Sequence, residues 1–264
     1  MTDDPFAPRD ADDFYVGYLP LPRAHKRFIQ IMLPVAVAFM GIGALGIAAS
    51  QPEWSAGSWD LATPTEYEGT LLADPYPMLV VDGEAHLIVG PAKVAPTTDT
   101  LVDAGIDLRV GPKQAVVTGY PLQRDGRKMI SLEVSEKDSI RITDQTPRPP
   151  VPIVLNTGLT ARRGEIMDAK CFMGAMSPGE GRAHKACATL CITSGIPPVL
   201  VTRDESGAAT YHLLVTTTGD GLSSAELESI KPYIAEPVTI DGTPGSLAGW
   251  NVLAIDPEFA VSPL

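Results

Sequence analysis

An uncharged apolar run near the N-terminus constrains this chain more than any other feature. Residues 28–50 read FIQIMLPVAVAFMGIGALGIAAS and contain no Asp, Glu, Lys or Arg. A helix rises about 1.5 Å per residue, so the run is long enough to cross the ~30 Å hydrocarbon core of a bilayer. A core helix of a soluble protein would carry a polar face, which this run lacks. The run therefore predicts a transmembrane helix over residues 28–50.

A cleaved signal peptide is the alternative, because the run ends in the small residues of a cleavage site, Ala48–Ser50. The long leader, residues 1–27, and the length of the apolar run favour a retained anchor. Arg23, Lys26 and Arg27 lie just before the run. The positive-inside rule then predicts a single-pass protein of the bacterial inner (cytoplasmic) membrane, with a cytoplasmic N-terminus and periplasmic C-terminal modules.

The charge and the tail indicate what the chain contacts. The formal net charge is −12, and an acidic surface repels nucleic-acid phosphates, so we expect no nucleic-acid partner. We expect contacts with membrane lipid and with an integral membrane protein complex. The tail motif FYVGYLPLP is apolar yet lies outside the span, which indicates packing on the cytoplasmic surface of that complex. The contact candidates are Phe14, Tyr15, Tyr18, Leu19 and Leu21.

Two segments after the span resemble each other. One reads YEGTLLADPYPMLVVDGEAHLIVG from Tyr67, and the other reads RGEIMDAKCFMG and, after an insertion, IPPVLVTRDESGAATYHLLV, ending at Val215. Each has a Glu/Gly pair, an apolar run, an Asp, a Pro, and two short strand-like runs of which the second holds a histidine, His86 or His212. Such self-similarity predicts a duplicated module, with the two histidines in one repeated packing role.

Short apolar runs bounded by Gly, Asp and Pro predict strands, so the fold class is mainly β. About five strands per module favour a small closed barrel of the oligonucleotide/oligosaccharide-binding (OB) type; an immunoglobulin-like sandwich, the alternative, has about seven. TPRPPVP, residues 146–152, predicts a stiff connector. The expected organisation is a cytoplasmic tail 1–27, a transmembrane helix 28–50, a linker 51–62, a first β-module 63–145, a Pro-rich linker 146–159, and a second β-module 160–264 with a Cys/His insertion.

The insertion, roughly residues 171–194, holds every cysteine of the chain. RAHKACATLCITSG predicts a short helix that ends at the following glycine. His184, Cys187 and Cys191 are spaced to lie on one face of that helix. Cys171 precedes the helix and can approach this face from the strand side. Chemistry at this segment therefore involves these four residues.

Three kinds of chemistry fit the four residues. A disulfide from Cys171 to Cys187 or Cys191 suits an oxidising exterior and would act as a clasp that orders the Gly- and Pro-rich insertion. A Cys₃His set is also acceptable for zinc, and thiolates bind copper(I), although the spacing is not that of a standard zinc finger. A redox-active thiol is the third possibility, but no C-x-x-C motif supports it. The disulfide is the prediction that we carry forward.

The segment KCFMGAMSPGEGRAHKACATLCITSGIPPV and the tail DDFYVGYLPLP resemble those of a family of bacterial single-span membrane-anchored proteins with two extracytoplasmic β-modules. The resemblance covers the tail, the span and both modules. It implies this architecture and marks Cys171, His184, Cys187 and Cys191. It implies no catalytic residue.

The chain carries no Ser-His-Asp pattern, P-loop, Rossmann glycine pattern or zinc-protease motif, so we do not expect an enzyme. The leading hypothesis is a non-catalytic accessory subunit that braces the extracytoplasmic face of a respiratory or photosynthetic electron-transfer complex. The alternative is a membrane-tethered metal or haem carrier, or assembly factor, that uses the Cys/His segment.

Overall fold

The computed structural model describes residues 23–50 and 57–264. Residues 1–53 and 54–264 form two separate compact units. The five tail residues predicted to contact a partner lie outside the described residues, and their role stays a prediction: Phe14, Tyr15, Tyr18, Leu19 and Leu21.

The first unit contains one long helix, α1, Arg23–Ser50. Its apolar side chains are exposed on every face, as the absence of a polar stripe predicts. The stretch His25–Ser50 is long enough and apolar enough to cross a membrane, with a mean hydropathy of 2.2 over its most apolar window. The structure thus contains one N-terminal helix with the length and composition of a membrane span.

The second unit contains two closed five-stranded barrels of the OB type, as predicted. In the first barrel, β2 pairs with β3 and β5, β3 with β4, and β5 with β6; a parallel pairing of β4 with β6 closes the ring. Two short strands, β1 and β7, extend the sheet along β5. The seven strands of this module are β1 Ser58–Trp59, β2 Thr65–Leu72, β3 Met78–Val81, β4 Glu84–Val89, β5 Lys113–Arg124, β6 Arg127–Leu132 and β7 Ile140–Ile142.

The second barrel repeats the first, strand for strand. Its strands are β8 Val154–Leu155, β9 Thr160–Asp168, β10 Pro198–Arg203, β11 Ala209–Thr216, β12 Pro237–Leu247, β13 Trp250–Ile255 and β14 Val261–Pro263. The pairings of β9 to β13 match those of β2 to β6, including the one parallel contact, here between β11 and β13. His86 and His212 each form the first residue pair of their parallel contact, and both are buried. The duplication predicted from the sequence is therefore present in the topology.

A short helix follows β4 in the first barrel and β11 in the second. These helices are α2 Thr98–Asp103 and α5 Ser224–Ile230. Both helices begin with a capping box, formed by Thr97 with Thr100 and by Ser223 with Glu226. This motif satisfies backbone N–H groups that the first turn of a helix leaves free. The remaining helical pieces are α3 Glu136–Ser139, α4 Lys185–Thr193, a π-helical turn Cys171–Ala175 and 3₁₀ turns Arg182–His184 and Lys231–Tyr233.

Several strands of the first barrel are buried on both faces. Leu71, Ile88 and Ile130 fill its interior, whereas their neighbours Leu87 and Met129 belong to a larger core shared with the second barrel. Strands buried on both faces have continuous apolar sequences instead of alternating ones. This explains runs such as MLVV and HLIV in the first module.

Backbone and side-chain hydrogen bonds join the two barrels directly. The Trp250 indole N–H donates to the Ala85 carbonyl at 2.8 Å, and the Ala85 N–H donates to the Ala248 carbonyl at 2.8 Å. The Tyr76 hydroxyl donates to the Leu214 carbonyl at 2.8 Å. The modules therefore share one interface, and the cysteine insertion lies against it.

Candidate metal centre

The insertion occupies the loop between the first two strands of the second barrel. β9 ends at Asp168, the chain passes through the π-helical turn and a 3₁₀ turn, and α4 leads back to β10. Phe172 and Met173 of the π-helical turn are buried in the shared core. The predicted helix is present as α4, which carries Cys187 and Cys191. The insertion thus brings a strand end, a tight turn and one helix face together.

The three cysteines form one cluster. The sulfur atoms of Cys171, Cys187 and Cys191 all lie within 4.8 Å of one another. Cys171 and Cys191 are buried, and Cys187 is half-buried. Three thiols from a turn and a helix thus face a common point, and one of them is accessible to solvent.

The predicted disulfide is wrong. All three cysteines fall in the described part of the chain, and all three are free thiols. Cys187 and Cys191 are one helical turn apart, a spacing with poor disulfide geometry. The side chain of Cys171 forms a hydrogen bond with Cys191 in place of a covalent bond.

Contacts with the first barrel order the insertion and replace the clasp that the sequence suggested. The Arg124 guanidinium donates to the Phe172 carbonyl at 2.6 Å and lies over the Phe172 ring, with 3.9 Å from its central carbon to the ring centroid. The Ala95 N–H donates to the Ser194 carbonyl at 3.1 Å. The insertion therefore acquires a fixed conformation by packing between the barrels.

Hydrogen bonding between the thiols separates their acidities. The hydrogen bond to Cys191, with burial, raises the pKa of the Cys171 thiol. The same hydrogen bond, received from Cys171, lowers the pKa of Cys191. Accepting a hydrogen bond favours the thiolate, whereas donating one favours the thiol. Of the two thiols, Cys191 is therefore the one whose surroundings favour the thiolate, which is the form that ligates metal ions.

Two lysines place positive charge beside the sulfur atoms. Lys93, from the first barrel, forms a hydrogen bond with Cys187, which raises the pKa of the Lys93 ammonium. Lys170 is buried, and its ammonium donates to the carbonyls of Gly90, Pro91 and Ala92 at 2.7, 3.2 and 2.9 Å. Burial lowers the pKa of Lys170 to about 8, against the opposing attraction of the nearby cysteines. Cationic side chains of this kind offset the charge of a thiolate cluster.

His184, the fourth residue of the predicted Cys₃His set, is grouped with Cys171 but not with all three sulfurs. It belongs to a second group, in which ligand atoms of Asp168, Cys171 and His184 lie within 4.8 Å of one another. The His184 Nε2 atom lies 2.9 Å from Asp168 Oδ2, and both side chains are buried. The other carboxylate oxygen accepts the Cys171 N–H at 2.8 Å. Asp168 thus connects the histidine to the first cysteine, which is shared by both groups.

The arrangement suits metal binding better than nucleophilic catalysis. In a Cys-His-Asp catalytic triad the histidine forms hydrogen bonds to both the thiol and the carboxylate. Here His184 bonds the carboxylate, and its Nδ1 atom has no partner among the described residues. Cys171 is buried, and the neighbouring Cys191 and this burial raise the pKa of its thiol, which disfavours the nucleophilic thiolate. Three convergent thiols, in contrast, are a donor set for thiophilic ions.

The sequence did not identify three residues of the centre. Asp168 ends β9, and its only signal in the sequence was that an Asp, Asp74, also follows the apolar run of the first repeat; in the paired strands Asp168 corresponds to Ala73. Lys170 lies next to the cysteine motif but reads as an ordinary surface lysine. Lys93 comes from the other barrel, so no local pattern indicates it. Comparisons with protein families, curated proteins and solved structures give no match for this chain.

Proposed function

We propose that this chain is a membrane-tethered carrier of a thiophilic metal ion, which it binds at Cys171, Cys187 and Cys191. The observation that carries the proposal is the convergence of three unoxidised thiols within 4.8 Å of one another. Soft thiolate ligands select ions such as copper(I) and zinc.

The electrostatics of the site support the same proposal. Metal binding requires deprotonated sulfurs, so a bound ion of charge +1 or +2 leaves a net negative cluster. The ammonium groups of Lys93 and Lys170 lie close enough to influence these sulfurs and offset that charge. The site is thus prepared for an anionic metal–thiolate cluster.

The uneven burial of the thiols supports a carrier in preference to a permanent structural site. Cys171 and Cys191 are buried, whereas Cys187 is half-buried and sits beside the exposed side chain of Lys93. Ion transfer proceeds by exchange of one ligand for another, which requires one ligand that a donor or acceptor can approach. Cys187 meets this requirement, and the two buried thiols would retain the ion during exchange.

The membrane anchor determines the compartment in which the proposed carrier acts. With α1 as a retained span and the basic residues before it in the cytoplasm, the barrels and the thiol cluster lie in the periplasm of a bacterial inner membrane. An ion bound there is available to membrane complexes that are metallated on that side. The chain itself needs no catalytic group for this role.

The accessory-subunit hypothesis remains a second prediction that the described residues do not favour specifically. Its contact candidates lie in the tail, outside residues 23–50 and 57–264. Purification in mild detergent separates the two roles. A stable complex with redox or pigment-bearing subunits indicates the accessory role.

Metal transfer tests the carrier role. The full chain, purified in detergent without oxygen and loaded with copper(I) or zinc, is mixed with a colorimetric chelator and the transfer rate is measured. We expect Cys187→Ser to change the transfer rate and to leave the free energy of unfolding nearly unchanged. A bound ion that exchanges equally fast with or without Cys187 contradicts the carrier mechanism.

A further inference from the structure

The strongest unexplained feature next to the thiol cluster is the imidazole of His184. Its side chain is 1% exposed, and its Nε2 atom lies 2.9 Å from the Asp168 carboxylate, which is fully buried. The Nδ1 atom is also buried and has no hydrogen-bond partner among the described residues. Buried polar atoms of side chains are nearly always paired, so this atom requires an explanation.

The carboxylate determines which nitrogen carries the ring proton. Asp168 Oδ2 lies 2.9 Å from Nε2, a geometry that suits the tautomer in which Nε2–H donates to the carboxyl group. In the neutral imidazole the lone pair then lies on Nδ1. Metal-ligating histidines are held in this way, with one nitrogen donating to a carboxylate and the other bound to the ion.

Asp168 places the histidine beside the thiols. One of its oxygens bonds His184 and the other accepts the backbone N–H of Cys171 at 2.8 Å. Cys171 belongs both to the cluster of three sulfurs and to the group formed with Asp168 and His184. Cys171 is therefore the residue that links the imidazole to the thiol cluster.

We propose that His184 binds the metal ion through Nδ1 as a fourth ligand, and that Asp168 is the residue that positions it. The inference rests on the proposed function, because it assumes that the three thiolates hold an ion. It also assigns the class of ion: a Cys₃His set is a tetrahedral site for a divalent ion of the zinc class, whereas copper(I) is satisfied by three sulfurs. Because the structure groups His184 with Cys171 alone among the three cysteines, this coordination requires the imidazole to approach Cys187 and Cys191 when the ion binds.

X-ray absorption spectroscopy of the zinc-loaded full chain in detergent tests the proposal directly. We expect three sulfur neighbours at about 2.3 Å and one nitrogen neighbour at about 2.0–2.1 Å. This measurement on the unaltered protein does not depend on whether any variant folds. Cobalt(II), used as a spectroscopic probe of the same site, should show the visible bands of a tetrahedral ion with thiolate ligands.

Variants distinguish ligand from positioning residue. His184→Ala should remove the nitrogen neighbour, and Asp168→Asn should weaken zinc binding by about 10–100-fold while retaining three sulfur neighbours. His212→Ala is the matched control, because His212 is also buried in the second barrel, has no partner for either ring nitrogen among residues 23–50 and 57–264, and belongs to neither ligand group. The control should leave zinc coordination unchanged.

The outcomes separate this inference from the proposed function. Zinc or copper(I) bound by three sulfurs without nitrogen, with an affinity that His184→Ala does not alter, overturns the role of His184 and leaves the thiol site intact. A chain that binds neither ion with its thiols reduced overturns the proposed function and this inference together. A Cys₃His coordination that is lost in His184→Ala and kept in the control supports both.

Discussion

Phe172 offers a test of how the insertion is held in place. Its side chain is 1% exposed, and it packs edge-on against Tyr211 with 5.2 Å between ring centroids. The Arg124 guanidinium lies over the Phe172 ring, with its central carbon 3.9 Å from the ring centroid. Phe172→Ala removes these ring contacts. It keeps the backbone carbonyl at position 172, which still accepts the hydrogen bond from the Arg124 guanidinium. The variant therefore isolates the packing that replaces the predicted disulfide.

The expected loss follows from burial. Truncation of a core phenylalanine to alanine costs about 3–5 kcal/mol, and loss of the cation–π contact adds about 1 kcal/mol. The free energy of unfolding of a domain is about 5–15 kcal/mol, so a loss of about 4–6 kcal/mol is a large part of it. With a urea dependence of about 2 kcal/mol per M, the unfolding midpoint falls by about 2–3 M.

The assay is urea unfolding of the full chain in detergent, followed by tryptophan fluorescence, with and without a thiol reductant. Phe259→Ala is the control, because Phe259 is 82% exposed and its truncation should change the free energy of unfolding by less than about 0.5 kcal/mol. Reductant should have no effect, since no disulfide is present.

Two results would refute the reasoning. If Phe172→Ala and Phe259→Ala have equal midpoints, packing of the turn does not hold the insertion. If reductant lowers the stability of the unaltered chain by about 3 kcal/mol, which is the contribution of a disulfide closing a loop of about 15 residues, then a covalent clasp is present after all.

Three further predictions concern the barrels and the anchor. Burial, with Arg162 and Arg127 nearby, lowers the pKa of His212 to about 4. Between about pH 4 and 6.5 the unfolded chain therefore binds a proton that the folded chain does not, so the free energy of unfolding falls as the pH is lowered. Urea titrations should show a weaker pH dependence of this free energy in His212→Gln, and an unchanged pH dependence contradicts the prediction. A Cβ atom on Gly69 or Gly164 would lie 2.3 or 2.2 Å from a carbonyl oxygen of the next strand. Gly69→Ala and Gly164→Ala should therefore each lower the free energy of unfolding by about 2 kcal/mol or more in the same assay. A loss at one position alone contradicts the equivalence of the barrels. Protease added to spheroplasts should digest the barrels and spare the tail, whereas a mature N-terminus near residue 50 would show that α1 is a cleaved signal.

Local patterns predicted most of the architecture. An uncharged run long enough for a span needs no tertiary information, and the two barrels are coded by repeated short strands with turn residues between them. The equivalent places of His86 and His212 were visible for the same reason, because the duplication preserves sequence spacing. The helix α4 was predicted from its good helix formers and the glycine after it.

The chemistry of the insertion was predicted less well, because it depends on contacts between the barrels. The disulfide rested on the premise that a Gly- and Pro-rich loop cannot order itself. The inference failed because the first barrel orders the loop without a covalent bond, through Arg124 and the carbonyl groups around Lys170. Lys93 reaches Cys187 from a loop far away in sequence. No pattern within either module reveals that the two modules share a core.

The proximity of the three cysteines was predicted, but the place of the histidine was not. The helical spacing put His184 on the face of Cys187 and Cys191. In the structure His184 ends a 3₁₀ turn before α4 begins, and its imidazole contacts the Asp168 carboxyl group. A change of helix type over one residue is beyond what spacing alone can predict.

Native mass spectrometry of the full chain gives the most direct test of the central claim that the three thiols bind one thiophilic ion. The protein is purified in detergent without oxygen, loaded with zinc or copper(I), and compared with a variant in which Cys171, Cys187 and Cys191 are all replaced by serine. We predict one bound ion per unaltered chain and none in the variant. An unaltered chain with three reduced thiols and no bound ion would contradict the claim, as would a variant that binds as much metal as the unaltered chain.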